Sequence, residues 1–175
     1  YLLDRICAGP GDPRPVPSIM IIAAHPDDEI IGRGICLRRL GTAVVVHVTD
    51  GAPRSLEDAR TAGFDRWEDY AAARRQELEE GLALAGLGPE QTRLLGYADQ
   101  VTSHAIPDVA KNTVRLLREI EPDAVITHPY EGGHPDHDAT AFAVHVACRT
   151  LRREGRTPPA ILEMTSYHLD NGKLM

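Results

Sequence analysis

Strand-like and helix-like stretches alternate along this chain from residue 18 almost to its end, and that alternation restricts the fold more than any other feature. Ser18-Ile-Met-Ile-Ile-Ala-Ala24 is a short continuous apolar run, as expected of a parallel strand buried on both faces. A helix is expected from about Asp27 to Leu40, stopped by Gly41. Thr42 to Val48, rich in β-branched residues, reads as a second strand closed by a turn over Thr49 to Pro53. A long helix is expected from about Asp65 to Ala85, then a third strand from Gln91 to Tyr97 and a helix from Pro107 to Ile120. Asp123 to Thr127 reads as a fourth strand. A loop from His128 to Asp136, a helix to about Arg153 and a fifth strand from Ala160 to Tyr167 complete the series.

Such alternation builds a Rossmann-like, doubly wound α/β domain: a mostly parallel sheet of about five strands with helices on both faces. The 175 residues suit one domain of this kind, taken as residues 18–175. Residues 1–17, with the run Gly-Pro-Gly-Asp-Pro-Arg-Pro-Val-Pro, read as an extended arm before it. Ligands of doubly wound sheets bind beyond the carboxyl ends of the strands, so the loops leaving those ends are where chemistry is expected.

Two loops stand out. His25-Pro-Asp-Asp-Glu29 directly follows the first strand, and His134-Pro-Asp-His137 follows the fourth after Gly132-Gly133. A lone Asp in either place would be a helix cap that complements the helix dipole. A cap does not explain His25 beside two aspartates, or two histidines flanking Asp136. On one sheet edge the two clusters offer imidazole and carboxylate ligands without thiolate. Three such ligands and an open position are what catalytic zinc uses, and the same set admits Fe²⁺ or another divalent transition metal. A bound ion lowers the pKa of its water from 15.7 towards ~7 and polarises a carbonyl. A spare carboxylate could take the water's proton, a spare histidine could stabilise an oxyanion or protonate an amine, and Asp136 could orient an imidazole. Spacing alone leaves open which carboxylate and which histidine of each cluster hold the ion.

Composition narrows the partners. The formal charge of −7 argues against nucleic acid or an anionic membrane surface. No apolar run approaches the ~18 residues of a membrane span, and Tyr1 to Arg5 does not resemble a signal peptide. Cys7, Cys36 and Cys148 form no CxxC pair, which fits buried thiols at Cys36 and Cys148 in a reducing cytoplasm. The Ala, Arg and Gly content suggests a bacterial source. Oligomeric state is not legible.

Ala24-His-Pro-Asp-Asp-Glu29 after one strand and His134-Pro-Asp-His137 after a later one resemble the motifs of the LmbE-like, or PIG-L, family of zinc-dependent N-acetylglucosaminyl deacetylases. The likeness extends from about Ile21 to Tyr167. It implies hydrolysis of the N-acetyl group of a small amino-sugar conjugate. His25, Asp28 and His137 would be the zinc ligands, Asp27 the general base, and His134 the acid or oxyanion partner, supported by Asp136. Glu29 is given only a structural or supporting part. Arg74 and Asp99 resemble substrate-contacting positions, although Arg74 could equally pair with Glu77 one helical turn on. Family members continue past the position of Tyr167, so a segment that walls the pocket is expected to lie beyond this chain. The alternatives are an amidase acting on a larger acyl or thiol conjugate, and a metal-binding module without catalysis. A Mg²⁺-dependent phosphohydrolase is disfavoured because Mg²⁺ prefers oxygen ligands.

Overall fold

The computed structural model describes residues 2–6, 14–164, 169–170 and 173–174. Five strands form one all-parallel sheet: β1 (Ile19–Ala23), β2 (Val44–Pro53), β3 (Thr92–Asp99), β4 (Ala124–Thr127) and β5 (Ala160–Glu163), in the order β3-β2-β1-β4-β5. The helices are α1 (Leu2–Ile6), α2 (Asp28–Leu37), α3 (Glu57–Thr61), α4 (Trp67–Leu84), α5 (Ile106–Ile120) and α6 (Pro135–Arg153). Leu169–Asp170 and Lys173–Leu174 pair antiparallel, apart from the main sheet.

The two-residue period of a strand divides the apolar residues between two cores. Met20 and Ile22 of β1, Val46 and Val48 of β2 and Val125 of β4 pack with Val109, Val114 and Leu117 of α5 and Val144 and Leu151 of α6. Ile19, Ile21, Val45 and Ile126 face the other way, onto Leu37 of α2 and Leu78 and Leu82 of α4. A strand covered on both sides needs apolar residues at every position, and all five of β1 are buried. Each full side-chain burial is worth about 1.5–3 kcal/mol.

β1 and β4 are direct neighbours, paired from Ile19↔Ala124 to Ile22↔Thr127. The chain leaving β1 runs into α2, on one face; the chain leaving β4 runs into α6, on the other. The two loops therefore part where the strand order reverses, and a crevice opens between them.

The segment Thr49 to Pro53, expected as a turn, instead continues β2; its pairing with β3 shifts register between His47 and Thr49 and again between Thr49 and Pro53. The turn-like residues Gly51 and Pro53 are absorbed by that irregularity, as in bulges near functional rims. Helix α3 had no clear periodic signal. Within the arm expected to be extended, Leu2–Ile6 is a short helix, and Ile6 is buried against the α2/α4 side of the sheet. The fifth strand ends at Glu163, and the expected continuation through Tyr167 lies outside the described residues, as do the side chains of Cys7 and Cys36. Cys148 is buried, and burial pushes its thiol pKa up. No described helix is long and apolar enough to cross a membrane.

Candidate metal and catalytic site

His25 leaves the end of β1 with its ring held at both nitrogens. Nε2 lies 3.2 Å from Asp136 Oδ2 and 3.0 Å from Asp99 Oδ1. Of these two, the Asp136 contact has hydrogen-bond geometry; Asp99 Oδ1 is buried without a hydrogen-bond partner among the described residues, so its approach to His25 is electrostatic. Asp136 is fixed in turn by the backbone N–H groups of Gln100 (2.6 Å) and Thr102 (3.0 Å) and by the Thr102 hydroxyl. Burial alone would raise the Asp136 carboxyl, but its hydrogen bonds to His25, Thr102 and Gln100 hold it well below the usual range. An ionised acceptor there assigns a proton to His25 Nε2 and turns Nδ1 towards the second cluster.

His25 Nδ1 lies 3.3 Å from Asp28 Oδ2 and 3.3 Å from His137 Nε2, and His137 Nε2 lies 3.3 Å from Asp28 Oδ1. Donors about 2.0–2.1 Å from a tetrahedral zinc stand about 3.3–3.4 Å apart; each contact here is near that separation, with His25 meeting one oxygen of Asp28 and His137 the other. The charges agree. Burial would lower the His25 pKa, yet the carboxylates of Asp136, Asp28 and Asp99 push it up to about 12. Burial would raise Asp28, yet the surrounding imidazoles, those of His137 and His25 among them, hold it below the usual carboxylate range. The cluster favours a positive charge at its centre, which a proton or a metal ion can supply. Among the described residues, triads with one donor atom each, all within 4.8 Å of one another, are His25, His134 and His137; Asp28, His128 and His137; and His25, Asp99 and Asp136, so the ligand candidates overlap in one cluster.

Asp28 is the first residue of α2, and its Oδ2 also accepts the N–H of His25 at 2.7 Å, which ties the loop to the helix start. Asp27, just before it, has φ +118, an uncommon backbone state for a residue with a Cβ. Its carbonyl accepts the N–H groups of Ile30 and Ile31 at 2.9 Å, and its N–H points to Glu29 Oε2 at 3.3 Å. Glu29 is fully buried and lies 2.8 Å from His47 Nε2, which agrees with a supporting part for Glu29 and a core position for His47.

Arg74, on α4, lines the cleft beside Asp99 and reaches this loop. Its Nη2 donates to Pro26 O at 2.6 Å and to Asp27 Oδ2 at 3.1 Å. Gly51 makes the approach possible: its φ is +65, and a Cβ there would stand 2.9 Å from Pro26 Cδ and 3.3 Å from Arg74 Nε. Asp27 is raised by burial, an effect that Arg74 partly offsets.

His134 caps α6, and its Nδ1 accepts the Asp136 N–H at 3.2 Å. Asp136, expected to support His134, meets it through its backbone amide, while its carboxylate contacts His25. Burial, then the nearby His25 and His137, push the His134 pKa down. The neutral ring, accepting at Nδ1, carries its hydrogen on Nε2. His25, Asp27, Asp28, Ile31, Arg74, Asp99 and His134 line one cleft of about 190 Å³, with Asp136 and His137 buried beneath it.

The chain thus gathers every residue singled out in the two motifs. Sequence reasoning gave no site part to Gly51, Gln100, Thr102 or His128. The place of His128 at a strand end suggests either a pocket residue or, preferably, a buried histidine bonded to backbone, and it is buried and accepts the Ala24 N–H; nothing local signals that Thr102 and Gln100 meet Asp136.

Residues 20–148 match the model of the PIG-L family, GlcNAc-PI de-N-acetylase. A Bacillus cereus protein named probable N-acetyl-alpha-D-glucosaminyl L-malate deacetylase 2 is 31% identical over 143 residues, covering 79% of this chain and 64% of that protein. A 1D-myo-inositol 2-acetamido-2-deoxy-alpha-D-glucopyranoside deacetylase of Salinispora arenicola is 29% identical over 142 residues, covering 68% of this chain and 46% of that protein. Among solved structures, N,N'-diacetylchitobiose deacetylase from Pyrococcus horikoshii superposes with a TM-score of 0.66 at 25% identity, covering 94% of this chain and 63% of that one. The chain spans about half to two thirds of the length of these relatives. With the family model matched across β1 to α6 and both motifs inside the match, the chain belongs to the PIG-L family.

Proposed function

We propose that this chain carries the catalytic machinery of a zinc-dependent N-deacetylase acting on an N-acetylglucosaminyl conjugate, releasing acetate and a free amine. The observation that carries the reading is the convergence of His25 Nδ1, His137 Nε2 and the two Asp28 carboxylate oxygens through contacts of 3.3 Å, at a cleft that also holds Asp27 and His134. These three residues would hold the ion, with Fe²⁺ an alternative for the same donors. When bound, zinc polarises the amide carbonyl and makes a water nucleophilic near neutral pH.

The rest is the work of side chains. Asp27, its pKa raised by burial, accepts the proton of the attacking water. His134 donates its Nε2 hydrogen bond to the carbonyl oxygen as negative charge gathers there. The departing nitrogen takes the proton that Asp27 collected, so the products are amine and acetate. Arg74, engaged by Asp27 and Pro26, orients the base. Asp99 offers the cleft an acceptor for a sugar hydroxyl.

The test combines metal analysis with an acetate-release assay across N-acetylated amino sugars and their conjugates. About one equivalent of metal and turnover of an N-acetylglucosaminyl compound are expected. A folded, metal-loaded protein that releases acetate from none of them overturns the reading.

A further inference from the structure

His128 stands at the meeting point of the two motif loops, although neither motif contains it. It follows the last residue of β4, and its side chain is fully buried. Three contacts radiate from its ring. Nε2 accepts the backbone N–H of Ala24 at 2.9 Å, at the residue between β1 and His25. The same nitrogen lies 3.3 Å from Asp28 Oδ2. The ring face stacks on His137, with centroids 3.9 Å apart and planes 18° from parallel.

One nitrogen cannot both accept from Ala24 and donate to Asp28. The Ala24 amide is a donor in any state, so Nε2 is the acceptor, and a neutral ring then carries its hydrogen on Nδ1, which is buried with no hydrogen-bond partner among the described residues. The approach to Asp28 is then a packing contact that limits where the carboxylate can turn.

We propose that His128 is a positioning residue for the metal centre: it ties the amide before His25 to the end of β4 and supports the His137 ring, so that ligands from two distant loops meet at the spacing of one ion. The inference rests on the metal-site reading above and deepens it. His25 and His137 are 112 residues apart in the chain, and each loop leaves the sheet towards a different face. Backbone pairing fixes β1 against β4 only up to Ile22 and Thr127. Beyond those residues, the Ala24 to His128 bond extends the register by side chain into the crevice, and the stacked rings pass that register on to α6. Outer partners of this kind typically change metal affinity about 10–100-fold when removed.

Three variants separate the ring from the acceptor. His128→Ala removes both, His128→Gln keeps an acceptor that can reach Ala24, and His128→Phe keeps the stacking ring. Metal affinity is measured by competition with a chromophoric chelator, coordination by the visible absorption of the Co²⁺ form, and folding by circular dichroism and thermal melting of metal-free protein. Expected are an affinity loss of about 10–100-fold for His128→Ala, an altered Co²⁺ spectrum, and partial recovery in His128→Gln and in His128→Phe. The kcat of the metal-saturated Ala variant should fall while KM stays near the parent value. Should His128→Ala fail to fold, Gln and Phe variants with parental affinity and parental Co²⁺ spectra overturn the proposal, as does a folded Ala variant that binds metal like the parent. A parent protein that binds no metal would instead sink the metal-site reading itself, so the two failures are distinguishable.

Discussion

Arg74 Nη2 bridges the side chain and the preceding carbonyl of the Asp27 loop, 3.1 Å from Asp27 Oδ2 and 2.6 Å from Pro26 O. A residue on α4 thereby controls a carboxylate that α2 presents, and the control is electrostatic as well as steric. The Arg74 charge lowers the Asp27 pKa against the upward push of burial. Removing it in Arg74→Ala raises that pKa, so the base becomes ionised only at higher pH. The acid limb of the kcat/KM profile is therefore expected to move to higher pH, with a smaller displacement in Arg74→Lys. Profiles of parent and variants that superimpose on the acid side would refute the coupling.

The division of labour between the adjacent aspartates can be read in one experiment. Asp28→Ala and His137→Ala each remove one side of the 3.3 Å contact between the two loops and should lose most bound metal on gel filtration. Asp27→Ala should keep the metal and lose about 10²–10⁴-fold in kcat, the usual worth of a general base. Metal-to-protein ratios by elemental analysis, alongside acetate release, check both halves.

Asp136→Asn replaces an ionised acceptor with an amide that cannot satisfy His25 Nε2–H, Gln100 N–H and the two Thr102 donors together. A destabilisation of about 1–3 kcal/mol is expected in denaturant melts of metal-free protein. The sign with pH follows from the lowered carboxyl pKa. Stability from Asp136 is complete above the unfolded value of about 3.9 and is lost as pH falls towards the folded one. The parent should lose stability on acidification more steeply than Asp136→Asn, and equal slopes would count against it.

Gly51→Ala tests a residue with no chemistry of its own. A Cβ at φ +65 costs about 1–2 kcal/mol in backbone strain. It also meets Pro26 Cδ at 2.9 Å, so the loop carrying Asp27 must shift. A lowered Tm together with a kcat loss at unchanged metal content is expected. A lowered Tm with parental kcat would show that Pro26 and Arg74 relax without moving the base.

Periodicity made the sheet legible because buried parallel strands such as Ile19–Ala23 and Ala124–Thr127 have little choice of residue. It failed at Thr49–Pro53, where Gly51 and Pro53 look like a turn yet lie in an irregular strand end that local patterns do not encode. The clusters at His25–Glu29 and His134–His137 were visible because dense titratable residues at strand ends have few structural explanations. Their partners were not. Whether Arg74 meets Glu77, a sugar or Asp27 depends on how α4 lies over β2, and the role of Asp136 depends on Gln100 and Thr102, 36 and 34 residues away. Such pairings are set by tertiary geometry and leave no trace in spacing.

The reversal of strand order between β1 and β4 has a thermodynamic consequence. An ion gripped by His25 and Asp28 on one side and by His137 on the other acts as a reversible cross-link over more than a hundred residues of chain. Ligation and folding then become a single linked equilibrium, and metal at a hundredfold excess over its dissociation constant adds about 2.7 kcal/mol to the native state. Chelation removes that increment and loosens the seam between the two halves of the sheet, so the melting temperature itself reports occupancy.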